Sequence, residues 1–153
     1  MNTGYQATKQ FFKDVNWKYE TAENVFRSDV ELETNQYATI HIDTDDTMIV
    51  VFTALQYKIK ERLFDKILRM VNVLNMLNPV GSVFLDVEER MILCRFGQVY
   101  PKQNMTADDV GAQVSFVLDV IERISKVLPK LEDGTHEPEE VALLVIAPED
   151  AEE

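Results

Sequence analysis

Apolar and polar residues alternate along this chain with two different periods, and the switches between them divide it into elements. Residues 5–14 read as a short opening helix, with Tyr5, Ala7 and Phe11 along one side and Thr3 as N-cap. Residues 15–20 are an extended lead-in that puts Trp17 and Tyr19 on one face. Over 25–32 the period becomes two: Phe26, Ser28, Val30 and Leu32 face one way, Val25, Arg27, Asp29 and Glu31 the other. Thr34-Asn35-Gln36 supplies a turn, and Ala38, Ile40 and Ile42 repeat the inward pattern. After the Asp43-Thr44-Asp45-Asp46 turn, residues 48–52 are apolar on both faces, which predicts a central strand.

A long helix is predicted over 59–77. Ile59, Leu63, Phe64, Ile67, Met70, Val71, Leu74 and Leu77 share its apolar face, and Asn78-Pro79 ends it. Gly81 turns the chain into a hairpin in which Val83, Leu85 and Val87 and then Ile92, Cys94 and Phe96 alternate with their neighbours. Residues 101–104 form a loop. Thr106-Ala107-Asp108-Asp109 resembles a capping box opening a last helix that runs to Leu128 and stops before Pro129. The order is α-β-β-β-α-β-β-α. It predicts one α+β domain over 1–131, with helices packed on a mostly antiparallel five-stranded sheet, and a tail over 132–153.

The last helix is wider in its apolar arc than one sheet requires. Beside its main stripe, Phe116, Val120 and Val127 form a second row, so at 100° per residue the arc covers about 200°. Val73 and Met76 widen the earlier helix in the same way. These five residues mark either a helix wedged between sheet and loops or a subunit or partner interface. Asn72, Asn75 and Asn78, three residues apart, either terminate their helix or hold a partner's main chain.

Charge changes this picture mainly at the C-terminus. Of 27 acidic residues, nine fall in 132–153, where no Lys or Arg occurs. The rest of the chain has 18 acids against 15 bases, and the total is −12. No basic patch offers itself to nucleic acid, and no polybasic segment to a membrane surface. The longest apolar runs, 48–52 and 141–147, fall well short of the roughly 20 residues that span a bilayer. No secretory signal is visible over residues 1–10. A single cysteine forms no intrachain disulfide, and a reducing cytoplasm fits it best. Within the acidic tail, residues 141–146 are an apolar island. Such a stretch can add to a sheet edge, and the expectation is that it docks on its own or a neighbouring subunit's surface, with loose acidic flanks.

Candidate chemistry is sparse. Asp43, Asp45 and Asp46 suggest a calcium loop, but Met48 and Ala54 stand where an EF-hand needs its glycine and glutamate, so a solvated turn is expected. Asp86, Glu88 and Glu89 read as a second solvated turn rather than paired acid–base groups. His41, on an outward strand face, and His136 have no cysteine partners at zinc spacing. Cys94 alternates with Ile92 and Phe96 as a small core residue. None of the five glycines forms a phosphate-binding loop. The residues therefore predict no catalytic, metal or cofactor site. The reading is a protein-binding module, with a small-molecule or enzyme pocket between helix and sheet as its rival.

Several segments resemble the YbjN family of bacterial sensory-transduction regulators: Phe11-Phe12-Lys13-Asp14-Val15-Asn16-Trp17-Lys18-Tyr19-Glu20, Leu74-Asn75-Met76-Leu77-Asn78, Gly81-Ser82-Val83-Phe84-Leu85-Asp86, and the helix closing at Leu128-Pro129. The resemblance spans about residues 8–131 and leaves the tail outside. One departure is Glu88-Glu89-Arg90, where the family often has a glycine. The family's fold is similar to that of type III secretion chaperones, which are small, acidic, usually dimeric and bind extended segments of client proteins. The resemblance thus implies a homodimer that binds a protein partner, regulatory or chaperone-like, with no catalytic residues to carry over.

Overall fold

The computed structural model describes residues 2–78, 81–101 and 104–147. The predicted helix stop at Pro79, the middle of the 101–104 loop and the end of the tail from Pro148 lie outside them. The elements are α1 (Thr3–Val15), β1 (Glu20–Ala22), β2 (Val25–Glu31), β3 (Tyr37–Thr44), β4 (Met48–Leu55), α2 (Phe64–Leu77), β5 (Ser82–Asp86), β6 (Met91–Val99), α3 (Ala107–Glu132) and α4 (Pro138–Ile146). All strand pairs are antiparallel, in the order β1-β2-β3-β4-β6-β5. The α+β architecture is as expected, with six strands rather than five. The addition is β1, three exposed residues that pair Thr21 with Phe26 at the sheet's edge.

The helices lie on one face of the sheet. Phe26, Ile40, Ile42, Val51, Ile92 and Cys94 point into that layer and are completely buried, as are Ile67 and Met70 of α2 and Val117, Ile121 and Ile124 of α3. Burying each large aliphatic side chain contributes about 1.5–3 kcal/mol. An aromatic stack closes the α1 end: Phe12 lies 5.7 Å from Phe26 and 4.8 Å from Tyr19, while Trp17 meets Phe11 edge-on at 5.8 Å.

Element boundaries move where backbone groups have other partners. The N-cap of α1 is Asn2, whose side chain accepts from the Tyr5 N–H; Thr3 instead donates its N–H to Asp46 of the β3–β4 turn. Helix α2 begins at Phe64, not Ile59, after a single 3-10 turn over Glu61–Leu63. The Ile59 N–H donates to the Arg90 carbonyl (2.8 Å), and its own carbonyl accepts from Arg90 Nε (3.0 Å). These bonds tie residue 59 to the β5–β6 turn, and Lys60 after it is extended (φ −70°, ψ 135°), so residue 59 lies outside the helix. Arg90 holds a left-handed φ of 59°, the conformation a glycine would take most easily. Its bonds to Ile59 offset that strain, which accounts for an arginine in this turn.

Helix α3 continues through Pro129 to Glu132 instead of stopping at Leu128. Proline removes one ladder bond. Against that loss, Leu128 and Leu131 are buried, Tyr57 donates its hydroxyl to Glu132, and the Asp133 N–H closes onto the Pro129 carbonyl. The apolar island is also not an added strand. Residues 138–146 form helix α4, which packs on α2 and α3. Pro138 at the first helical position and Glu139 and Glu140 in the first turn suit a helix start, the acids facing the positive end of its dipole.

Candidate functional site

Strand β4 carries apolar residues on both faces, but the helices among the described residues cover only one. Val51 and Ile49 are buried, while the outward Val50, Phe52 and Ala54 are only half-buried. Register extends this outward surface across the sheet: Ala54 pairs with Leu93, Phe52 with Arg95 and Val50 with Gly97 on β6, and Leu93 with Phe84 on β5. The result is a shallow apolar field, with a depression of about 300 Å³ lined by Phe52, Ala54, Met91 and Leu93.

Cations border the field. Pairing runs from Arg27 to His41, from His41 to Phe52 and from Phe52 to Arg95, a row across four adjacent strands. The Arg95 guanidinium lies 5.4 Å over the Phe84 ring. On the other side Thr39 Oγ1 donates to Asp29 (2.9 Å), and the Gln56 amide reaches both residues. Burial against this surface, then the Arg27 guanidinium, lowers the pKa of His41 below its usual 6.5; Asp29 opposes the shift.

The two sheet edges are treated differently. At β5 the Asn75 amide accepts from the Val83 N–H and donates to the Val83 carbonyl, both at 2.8 Å. Of the three asparagines, Asn75 thus holds main chain, though the chain's own rather than a partner's. Asn78 is the extended C-cap of α2, and Asn72 contacts Met76 Sδ at 3.9 Å. At the opposite edge β1 ends after three residues, leaving a hollow of about 730 Å³ lined by Trp17, Lys18, Tyr19, Ser28 and Asp29.

The five residues predicted as an interface differ in exposure. Val127 is 3% exposed and belongs to the core, Met76 is 75% exposed, and Val73, Phe116 and Val120 are half-buried. Phe116 packs edge-on against Phe96 at 5.5 Å. Together with Val120 it lines a cleft of about 200 Å³ beside Leu74, Leu77, Val145 and Ile146. The open sheet face is not among the candidates drawn from the sequence. Its signal is the two-sided apolarity of residues 48–52, which a central strand explains equally well.

The polar candidates serve as local structure. Asp45 accepts from the Thr47 and Met48 N–H groups, and the first of these bonds lowers its pKa. Asp86 accepts from the Glu88 and Glu89 N–H groups at 3.1 Å each. Burial raises the Cys94 thiol to about 12. Among the described residues no group of three or more His, Cys, Asp or Glu side chains is arranged to hold a metal, and no helix is long and apolar enough to cross a membrane.

No protein-family model matches the sequence, and no curated protein is similar to it. The fold does have solved counterparts. One is the crystal structure of YbjN from E. coli, a proposed transcription regulator, with a TM-score of 0.59 and 12% identity over 78% of this chain and 86% of that one. Another is the Yersinia pestis type III secretion chaperone SycH in complex with a stable fragment of YscM2, with a TM-score of 0.46 and 18% identity over 75% and 93% of the two chains. At these identities the likeness to YbjN is one of fold.

Proposed function

We propose that this chain is a non-enzymatic protein-binding module, regulatory or chaperone-like, that works in the cytoplasm and pairs with a second copy. The observation that carries the reading is the uncovered outer face of β4, β5 and β6, where Val50, Phe52, Ala54, Leu93 and Phe84 lie together without a helix layer. A contiguous apolar surface bordered by polar groups is the usual form of a protein contact site. Arg27 and Arg95 give it cationic positions on either side of a central aromatic ring. The fold-level likeness to a proposed transcription regulator agrees with this assignment.

Photo-cross-linking in cells tests it. A photoreactive phenylalanine in place of Phe52 should yield discrete protein adducts, and the same group at Leu68, which is 48% exposed on α2, should yield few. Equal adducts from both positions, or none from position 52, would count against the sheet face. Sedimentation equilibrium on the purified chain should give about 35 kDa, twice the 17.6 kDa of one copy. A single-copy mass at every concentration would remove the pairing.

A further inference from the structure

Helix α4 is nine residues long. Isolated helices shorter than about 12–15 residues are marginal in water, so α4 depends on the surface beneath it. That surface is formed by α2 and α3. Val141, Ala142 and Val145 are buried against it, while Leu143 and Ile146 remain 54% and 40% exposed. The polar attachments lie at the rim. Arg69 of α2 forks onto both Glu139 oxygens (3.0 and 2.8 Å) and reaches Glu137 at 3.5 Å, and Arg123 of α3 donates to the Val145 carbonyl at 3.3 Å. The Arg69 pairs are half-exposed, and such pairs contribute little holding energy.

Two further features suit a detachable element. Residues 133–137 join α4 to α3 through Gly134, whose φ is +74° and whose surroundings are open, so that a Cβ there would meet nothing within 4 Å. Among the described residues, the last turn of α4 leaves the roughly 200 Å³ cleft between Phe116, Val120, Leu74 and Leu77 unfilled. The helix therefore matches the groove without completing it. It also shows what the groove accepts: an acidic first turn for Arg69, then apolar side chains at positions i, i+1 and i+4.

We propose that α4 is a built-in stand-in ligand, a strap occupying a helix-binding groove between α2 and α3 that yields to a partner protein's amphipathic helix of the same chemistry. This site is separate from the sheet face and stands or falls independently of it.

Hydrogen exchange on the full chain tests the strap. Amides of α4 should exchange at least about tenfold faster than those of α2 and α3, because α4 opens alone. Arg69→Glu, at an exposed side chain, should speed α4 exchange further and leave α3 unchanged. Exchange of α4 in step with α3 in both proteins would make it integral core and overturn the proposal. The groove is then probed with a labelled peptide covering residues 137–147. It should bind full-length Val145→Asp, whose own α4 is released, at least about tenfold more tightly than it binds the unsubstituted chain. A peptide carrying the same substitution should not bind. Failure of the unsubstituted peptide on a folded Val145→Asp chain overturns the partner-helix reading. So does a concentration-dependent exchange of α4 between copies, which would make a second copy the occupant.

Discussion

The two faces of the sheet are built from similar residues and have different fates. On β4, Ile49, Val51 and Leu55 face the helices and are wholly buried; Val50, Phe52 and Ala54, one residue out of step, face outward and are only partly buried. An antiparallel sheet with one solvated face normally alternates apolar and polar residues. Strand β2 comes closer to this, with Phe26 and Val30 on the inward face and Arg27, Asp29 and Glu31 outside. Strand β4 does not. Its outward apolarity adds little to the chain's own core, so the difference between the faces separates residues that hold the fold from residues free to meet something else.

The largest effect expected from this contrast is on stability. Ile40→Ala on the inner face removes a fully buried side chain and should cost about 2–5 kcal/mol. Phe52→Ala on the outer face should cost no more than about 1 kcal/mol, because the side chain is already partly in water. It should instead lower the adduct yield from a photoreactive group placed at Leu93 on the same outer face. Urea denaturation of the two variants decides the matter. Comparable losses would mean the outer face is as structural as the inner one, and the separation would collapse.

The edge of the sheet gives the next largest effect. Asn75→Ala leaves the N–H and carbonyl of Val83, itself only 1% exposed, without the amide that holds them. The expected cost is about 1–3 kcal/mol, from desolvated groups left unpaired. Asn75→Asp retains the acceptor but not the donor and should fall between Asn75→Ala and the parent. If both variants are as stable as the parent, water replaces the amide at no cost and β5 is an ordinary open edge.

Much of this fold is legible in the sequence, and the departures have specific physical causes. The two-residue period places β2, β3, β5 and β6, and the capping box at Thr106 is present with both reciprocal bonds to Asp109. The start of α2 departs from the pattern because helical spacing of Ile59 says nothing about Arg90, 31 residues away, which engages its backbone. The end of α3 departs because local proline chemistry is outweighed by the burial of Leu131, which the proline does not announce. Residues 141–146 fit strand and helix periods equally well, and a short apolar run takes whichever form its docking surface permits. For the site, the wide arcs of α2 and α3 are visible, but that α4 lies on those helices is a tertiary fact that neither arc reveals.

Cys94 reports on the inner face by reactivity. Its thiol is fully buried and burial pushes its pKa up to about 12, so almost no thiolate exists at neutral pH. A soluble thiol reagent should label the native chain only slowly and the urea-unfolded chain at once. Rapid native labelling would show that the helix layer opens readily, making the inner face less different from the outer than its burial indicates.

His41 gives the smallest effect and the finest test of the outer face. Burial first, and Arg27 second, lower its pKa below the ordinary 6.5. The folded chain therefore takes up this proton less readily than the unfolded chain. Above about pH 6.5 the imidazole is neutral in both states and contributes no pH dependence. As pH falls through 6.5 the unfolded state is favoured, and the loss of stability is complete once pH has passed below the folded value. Proton NMR titration of His41, referenced to the same chain in urea, should place the native pKa on the low side. Arg27→Met should raise it part of the way back, because burial is the larger cause. A partner seated on the face should instead lower it further by excluding water from the imidazole. A native His41 that titrates at or above its unfolded value would mean that this surface is fully wetted, and that Arg27 does not act on the imidazole.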